Sequence, residues 1–400
     1  MNRLLMVVVA VALTISAQAQ GLPRVAPASV GLEEAKLREA TQLITQFVTE
    51  QKVAGAVAAV ARRGRLAYFE TVGVQDLVTN TPMSERSVFP IYSMTRQVTA
   101  VAAMMLHEDG KFQLDDPIAK YIPEFAGIQV ATPEGRRAPA RAITVEDVFL
   151  HTSGINDRQT ELYQREKVRS RAEALPQLMA NIVRVGLMED PGTRFRYGEN
   201  TSVLGRLIEV WSGLPLDAFF ESRVFKPLQM VDTGFVVRPD QRARWVTVYS
   251  MTKGGGLEVS EVEEIPFTER PALLEGTVGL VTSVPDYLRF CQMLLNRGEL
   301  DDVRLLKSET VQRMVVNGLP DAVLEQRRGN VGWGLINANV VLDAASPLKG
   351  EYSWDGTAGT IFWIDPAREM ITLLFAPARP SNPDGIRQKF KALVQEAVRD

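Results

Sequence analysis

The chain has 400 residues, of which 46% are apolar and 23% are charged, and its formal net charge is −3. This composition is that of a globular protein, and the weak negative charge argues against general affinity for nucleic acids or acidic membranes. Cys291 is the sole cysteine, which excludes an internal disulfide. The only histidines are His107 and His151, and no Cys/His group has metal-ligand spacing, so we expect neither a metal nor another cofactor. The expected partner is a small molecule or a cell-wall component.

The first nineteen residues have the pattern of a secretory signal. Arg3 provides the positive start, residues 4–15 the apolar stretch, and Ala17-Gln18-Ala19 the cleavage site. The apolar stretch is shorter than the roughly 20 residues that a membrane-spanning helix needs. We therefore expect cleavage near Ala19, no stable membrane anchor, and an exported protein that is periplasmic or secreted.

The next part of the chain alternates between helical and strand patterns. Apolar residues at helical spacing predict a helix over 32–48, and two β-prone runs, 54–61 and 66–74, predict a hairpin with Gly64 in its turn. The pattern becomes helical again over 94–109. Two antiparallel strands thus precede Ser93, which lies where this helix begins.

The remainder predicts a helical middle followed by strands. The helical segments are 144–150, 175–187, 201–211 and 216–224, the strand segments are 331–341, 358–364 and 370–375, and a last helix spans 385–399. We predict an α+β fold in which residues 20–92 and 276–400 form a sheet domain. Residues 93–275 would form a mainly helical region that carries the Ser93 helix at its start.

Ser93 and Arg96 lie one helical turn apart on one face of the predicted helix. Free backbone N–H groups at a helix start favour developing negative charge, as a nucleophilic serine requires. In the Ser-x-x-Lys nucleophile motif, the lysine is the third residue after the serine, one helical turn away on the same face. Here that residue is Arg96. Alone, this tetrapeptide is far more typical of a serine that caps a helix than of a nucleophile.

Further motifs occur in a consistent order along the chain. They are residues 91–97, Leu114-Asp115-Asp116-Pro117, Leu150-His151-Thr152-Ser153-Gly154, residues 191–197, Gly279-Leu280, Trp333-Gly334-Leu335 and Trp354-Asp355-Gly356-Thr357. The ordered set resembles the serine β-lactamase and penicillin-binding-protein family, especially class C β-lactamases and family VIII carboxylesterases. This resemblance implies a β-lactamase/transpeptidase-like fold, an antiparallel sheet flanked by helices with an inserted helical region, and catalysis through an acyl-serine.

The resemblance also implies roles for individual residues. Ser93 corresponds to the nucleophile and Tyr197 to the tyrosine base of the family's Tyr-x-Asn motif. That motif is not kept, because Asn200 comes one residue late. A phenol serves as a base near neutral pH when positive charge lies close to it. His151 belongs to a motif that resembles a structural one.

The segment Trp354-Asp355-Gly356-Thr357 corresponds to the family's Lys-Thr-Gly motif on the edge strand, and it implies a substrate-binding role for these four residues. The main-chain N–H groups of Ser93 and Thr357 would form the oxyanion hole. Trp354 replaces the cation that would hold a β-lactam carboxylate, and Asp355 would repel such a group. This combination favours uncharged esters.

Arg96 cannot act as the base that lysine supplies, because a guanidinium keeps its proton. In one outcome Tyr197 is the sole base, the charge of Arg96 helps to keep it ionised, and ester hydrolysis is weak. In the other, Arg96 pairs with Ser93 or a carboxylate and leaves a silent homologue that binds a peptidoglycan or acyl ligand. A β-lactamase or D,D-peptidase is the alternative among enzymes.

Overall fold

The computed structural model describes residues 21–260, 263–327 and 330–399. The expected signal at residues 1–19 lies outside these ranges. The helices are α1 Glu34–Thr49, α2 Thr95–Glu108, α3 Val145–Leu150, α4 Glu161–Arg165, α5 Leu175–Val185, α6 Asn200–Ser212, α7 Leu216–Phe220, α8 Val284–Leu295, α9 Ser308–Met314, α10 Asp321–Glu325 and α11 Ile386–Glu396. The strands are β1 Gly55–Arg62, β2 Arg65–Asp76, β3 Thr81–Pro82, β4 Val88–Pro90, β5 Val130–Thr132, β6 Gly135–Arg137, β7 Tyr249–Met251, β8 Leu257–Val259, β9 Val281–Ser283, β10 Glu299–Leu300, β11 Val303–Arg304, β12 Val331–Trp333, β13 Asn339–Val341, β14 Tyr352–Gly356, β15 Thr360–Asp365, β16 Met370–Phe375 and β17 Ala378–Arg379.

The main sheet has eight strands in the order β12-β13-β14-β15-β16-β1-β2-β3. Its strand pairs are antiparallel, and the central pair β1–β16 runs from Val57 opposite Phe375 to Arg62 opposite Met370. Strands from both parts of the chain therefore meet at the centre of one sheet. The described residues between β3 and β12 contribute no strand to it.

Strand β1 is buried on both faces, and its side chains alternate between two cores. Val57 and Ala59 pack in the core that includes α2 and α8, whereas Ala58 and Val60 pack in the core formed with α1 and α11. This alternation follows from the two-residue period of a strand. The sheet thus has the two terminal helices, α1 and α11, on one face and the helix that follows Ser93, α2, on the other.

The structure confirms the predicted α+β class and alters some of its elements. The segment 331–341 forms two short strands, β12 and β13, because the chain turns between them and Gly334 N–H bonds to Ala338 O at 3.1 Å. The segment 216–224 forms α7 and then a π-helical turn, Glu221–Phe225. The predicted division at residues 92/93 and 275/276 stays a prediction.

Within the described ranges, no helix has the length and apolar character needed to cross a membrane. Nor do these residues include a group of three or more His, Cys, Asp or Glu side chains arranged to hold a metal ion.

Candidate active site

Ser93 lies in a tight 3₁₀ turn, Tyr92–Met94, that leads directly into α2. The residue before it, Tyr92, has φ of 42°, a left-handed conformation that is unfavourable for a residue with a bulky side chain. The Tyr92 ring packs edge-on against Phe267, with ring centroids 5.5 Å apart. Surrounding packing therefore holds the chain in a sharp turn, and Ser93 lies at its tip, mostly buried.

Three hydrogen bonds fix this turn to the rest of the molecule. Ile91 N–H donates to Leu280 O at 3.0 Å, and Leu280 N–H donates to the Thr95 hydroxyl at 3.1 Å. From α8, the buried Tyr287 hydroxyl donates to Met94 O at 3.1 Å. The position of Ser93 is thus determined from both sides of the turn, as a nucleophile requires.

The Arg96 side chain is buried and points toward the segment that carries Tyr197. Its Nη1 donates to Gly198 O at 2.9 Å and to the Thr201 hydroxyl at 2.8 Å. The guanidinium carbon lies 4.1 Å from the centroid of the Tyr197 ring. Within the described residues, neither of these hydrogen-bond partners is Ser93 or a carboxylate, so the Arg96 pairing named in the second outcome is not formed.

The Tyr197 hydroxyl accepts a hydrogen bond from the Trp354 indole N–H at 3.1 Å. Trp333 stands edge-on to the Trp354 ring, with centroids 4.7 Å apart. The Tyr197 ring thus has a cation against its face, and its oxygen has an N–H donor. Trp354 therefore supplies a hydrogen bond at the position where the family has a lysine.

His151 is fully buried behind Tyr197 and lies against its ring, with centroids 5.0 Å apart and an interplanar angle of 28°. Its Nδ1 accepts from Asn200 Nδ2 at 3.0 Å and from Gly198 N at 3.3 Å, so the proton is on Nε2, which donates to Asn337 Oδ1 at 2.9 Å. Burial, followed by the charge of Arg96, lowers the pKa of His151 well below 6.5. The residue is neutral and supports Tyr197.

This buried histidine predicts a loss of stability in acid. The unfolded chain protonates His151 below about pH 6.5 and the native state does not, so its contribution falls by about 1.4 kcal/mol per pH unit as pH decreases below 6.5. Urea unfolding between pH 7.5 and 5.5 should therefore show a steeper decline of the free energy of unfolding in the wild type than in His151→Gln. Equal declines would contradict the neutral assignment.

The end of β14 approaches the turn that carries Ser93 closely. A Cβ atom on Gly356 would lie 2.4 Å from Ile91 O, so a residue with a side chain does not fit there. β13 pairs with β14 through Ser353 and Tyr352, which leaves the end at Gly356 without a neighbouring strand on that side. The strand is thus internal in the sheet rather than at its edge, but its active-site end is open.

Thr357 follows Gly356 in the turn to β15. Within the described residues, neither the Thr357 nor the Ser93 N–H donates to a backbone carbonyl outside its own element. Thr357 and Ser93 line the same cavity. This arrangement is compatible with the oxyanion-hole role expected for the two N–H groups.

Asp355 does not have the orientation expected from the sequence. Trp354 packs with the core on the α2 side, and the Asp355 carboxylate pairs with Arg387 of α11, 2.6 Å away, on the opposite face of the sheet. Successive strand residues point to opposite faces, so both cannot face the site. The prediction that Asp355 repels a substrate carboxylate is therefore wrong, because Arg387 compensates the charge of Asp355.

The cavity beside Ser93 has a volume of about 1060 Å³. Its lining includes Ser93, Arg96, Tyr197 and Thr357, which come from three distant segments of the chain. Trp354 contacts this lining through its hydrogen bond to Tyr197, and Gly356 lies close to Ile91, near Ser93. The volume is ample for a small organic substrate.

The wall of the cavity also carries a buried network of charges. Arg169 pairs with Glu263 at 2.9 Å and with Glu275, and Arg158 pairs with Glu199 at 3.0 Å. Burial opposes the charged form of Glu275, but Arg169 and Arg158 outweigh it and lower its pKa. These ion pairs hold the wall in place, since breaking one would leave a buried charge unpaired.

A family model described as Beta-lactamase matches residues 40–396. The chain belongs to the β-lactamase family. Protein Rv1367c of Mycobacterium tuberculosis is 34% identical over 347 residues, which cover 80% of this chain and 85% of that protein. Esterase EstB of Burkholderia gladioli is 26% identical over 384 residues, which cover 87% of this chain and 92% of that protein.

Solved structures confirm the β-lactamase/transpeptidase-like fold. EstCE1, a hydrolase with promiscuous acyltransferase activity, has a TM-score of 0.78 at 24% identity and covers 91% of this chain and 98% of its own. Simvastatin synthase LovD of Aspergillus terreus has a TM-score of 0.78 at 21% identity, covering 90% and 97%. The chain is thus a member of a family of serine hydrolases that act on small ester and amide substrates.

Some residues of this β-lactamase-family site were not identified from the sequence. Thr201, which binds Arg96, and Asn337, which binds His151, have no motif that marks them. Arg379 lines the cavity near Thr357, but its sequence neighbours are ordinary for the end of a strand. Only the orientation of Asp355 could have been predicted from the sequence. Because side chains alternate along a strand, Asp355 and Trp354 must point to opposite faces of the sheet.

Proposed function

We propose that this protein hydrolyses small carboxylic esters through an acyl-serine intermediate on Ser93. The observation that carries the proposal is the shared cavity of Ser93, Tyr197 and Thr357, with the Arg96 cation against the Tyr197 ring. Similarity to a relative named as an esterase supports the choice of esters. So does Trp354, which stands in the place of the lysine that would hold a β-lactam carboxylate.

Acylation begins when Tyr197, as its phenolate, takes the proton of the Ser93 hydroxyl. The Ser93 oxygen then bonds to the ester carbonyl carbon, and the N–H groups of Ser93 and Thr357 stabilise the resulting oxyanion. The carbon–oxygen bond to the alcohol breaks, and Tyr197 returns the proton to the leaving alkoxide. The products of this half-reaction are a free alcohol and an acyl group on Ser93.

Deacylation uses the same groups with water in place of serine. Tyr197 takes a proton from water, the water oxygen attacks the acyl carbon, and the bond to the Ser93 oxygen breaks. Ser93 recovers its proton from Tyr197, and the acid leaves. One ester and one water become one acid and one alcohol, and the protein is unchanged.

In this scheme Arg96 is a fixed cation rather than a base. Its two hydrogen bonds to Gly198 O and the Thr201 hydroxyl hold the charge against Tyr197 and away from direct pairing with Ser93. This geometry supports an active enzyme over a silent homologue. Turnover is expected to be slow, since the second basic group of the family's Ser-x-x-Lys motif is missing.

Trapping the acyl group tests the proposal. The protein is mixed with p-nitrophenyl butyrate, quenched in acid and digested, and mass spectrometry is expected to find one butyryl group on the peptide that contains Ser93. Ser93→Ala should carry no label and release no p-nitrophenol above the uncatalysed rate. Ser29→Ala, a substitution of an exposed serine near the N-terminus, serves as the matched control and should be labelled like the wild type. Release that persists in Ser93→Ala would refute the proposal.

We also propose that the protein acts outside the cytoplasm. The charged start, apolar stretch and Ala-x-Ala site of residues 1–19 support export. Fractionation of cells that produce the full chain, with N-terminal sequencing of the mature protein, is expected to find a new N-terminus at Gln20. A product that retains Met1 in the cytoplasm would contradict export.

A further inference from the structure

Arg379 lies beside the turn that carries Thr357. It belongs to β17, which pairs in parallel with β7, and the preceding Ala378 N–H donates to Ala358 O at 3.2 Å. Because Ala358 directly follows Thr357, the backbone before Arg379 is tied to the expected oxyanion hole. Arg379 and Thr357 both line the cavity.

Arg379 is a half-buried residue, and within the described ranges its guanidinium forms no hydrogen bond or ion pair. Its charge nevertheless acts on the residue next to the nucleophile. Burial raises the pKa of the Tyr92 hydroxyl, and the charge of Arg379 opposes that rise. A partly desolvated cation without a carboxylate is a binding group for an anion.

The cavity carboxylates near this region are already engaged. Glu263 pairs with Arg169 at 2.9 Å, and Glu264 accepts from the Ser170 hydroxyl at 2.6 Å and from the Arg171 N–H. Each of these acids thus has a partner of its own. Arg379 is thus available to an anion that enters from solvent.

Resting on the ester hydrolysis proposed above, we propose that Arg379 binds a free carboxylate of the substrate and that monoanionic esters are the preferred class. A guanidinium presents a planar pair of N–H donors that matches a carboxylate. This differs from the preference for uncharged esters that Trp354 and Asp355 suggested. The charge of Asp355 is compensated by Arg387 on the other face of the sheet, and a cation reaches the cavity from β17 instead of β14.

Two pairs of matched substrates test the proposal and identify which side of the ester carries the carboxylate. Mono-p-nitrophenyl adipate is compared with p-nitrophenyl methyl adipate for the acyl side, and 4-carboxyphenyl butyrate with phenyl butyrate for the alcohol side. The measured quantity is the ratio of kcat/KM for the anionic ester to that for its neutral partner. In Arg379→Gln this ratio is expected to fall by about tenfold or more for at least one pair, the size of a lost charged hydrogen bond.

Two further variants separate a specific contact from general charge effects. Arg379→Lys keeps the charge but not the paired donors, and its ratio should lie between those of the wild type and Arg379→Gln. Arg65→Gln removes an exposed arginine outside the cavity and should keep the wild-type ratio. Wild-type ratios for both pairs in Arg379→Gln would overturn the carboxylate proposal. Failure of the ester hydrolysis itself would be distinct: the neutral esters would show no Ser93-dependent turnover in the wild type.

Discussion

Replacement of Tyr197 by phenylalanine is expected to lower kcat for p-nitrophenyl butyrate by about 10²- to 10⁴-fold, the usual size of a general-base contribution. The substitution removes the hydroxyl and keeps the ring, which contacts Arg96 at 4.1 Å and His151 at 5.0 Å. Without the phenolic oxygen, no group expected from the family can take the Ser93 proton, since a guanidinium keeps its own. Steady-state kinetics measures the change in kcat, and thermal unfolding of the same preparation checks that the variant is folded.

Tyr121→Phe is the matched control for this substitution. It also removes a hydroxyl, one that donates to Asp116 Oδ2 at 2.6 Å away from the cavity residues, and it should retain the wild-type kcat. The acyl-trapping experiment adds a second readout, because Tyr197→Phe should slow formation of the Ser93 acyl group itself. A folded Tyr197→Phe protein with wild-type kcat would assign the base to another residue.

The sheet-forming ends of the chain were predictable because their patterns are local. The runs 54–61 and 66–74 have β-prone residues on either side of Gly64, and they form β1 and β2 close to the expected bounds. The helix after Ser93 likewise follows from apolar residues at helical spacing and from the stop at Gly110. In each case neighbouring residues carry the information.

Contacts between distant segments were not predictable in the same way. The motifs identified Ser93, Tyr197 and Thr357 as candidates, but no local pattern indicates that Arg96 binds Thr201 or that Arg379 lies beside Thr357. Such contacts depend on how the helical region packs on the sheet. The local spacing of apolar residues, from which helices and strands are predicted, carries no information about that packing. The expected charge effect of Asp355 shows the same limit, because its compensation by Arg387 depends on where α11 lies.

Gly356→Ala is expected to lower kcat by about 10²- to 10³-fold, the cost of losing one oxyanion-hole donor. The added Cβ would lie 2.4 Å from both Ile91 O and the Thr360 hydroxyl oxygen. Ile91 cannot yield easily, because its N–H bonds to Leu280 O at 3.0 Å and its carbonyl accepts from Met94 N–H at 2.9 Å. The end of β14 must therefore move away from the nucleophile turn.

That movement separates the two N–H groups of the expected oxyanion hole and leaves the nucleophile intact, which gives the variant a distinctive signature. Gly356→Ala should still bind substrate and retain its circular dichroism spectrum while kcat falls. Gly127→Ala is the matched control, since a Cβ there would have no neighbour within 4 Å, and it should keep the wild-type kcat. The steric clash with Ile91 prevents β14 from keeping its present distance from that residue. A folded Gly356→Ala protein with undiminished kcat would therefore mean that the Thr357 N–H does not stabilise the oxyanion.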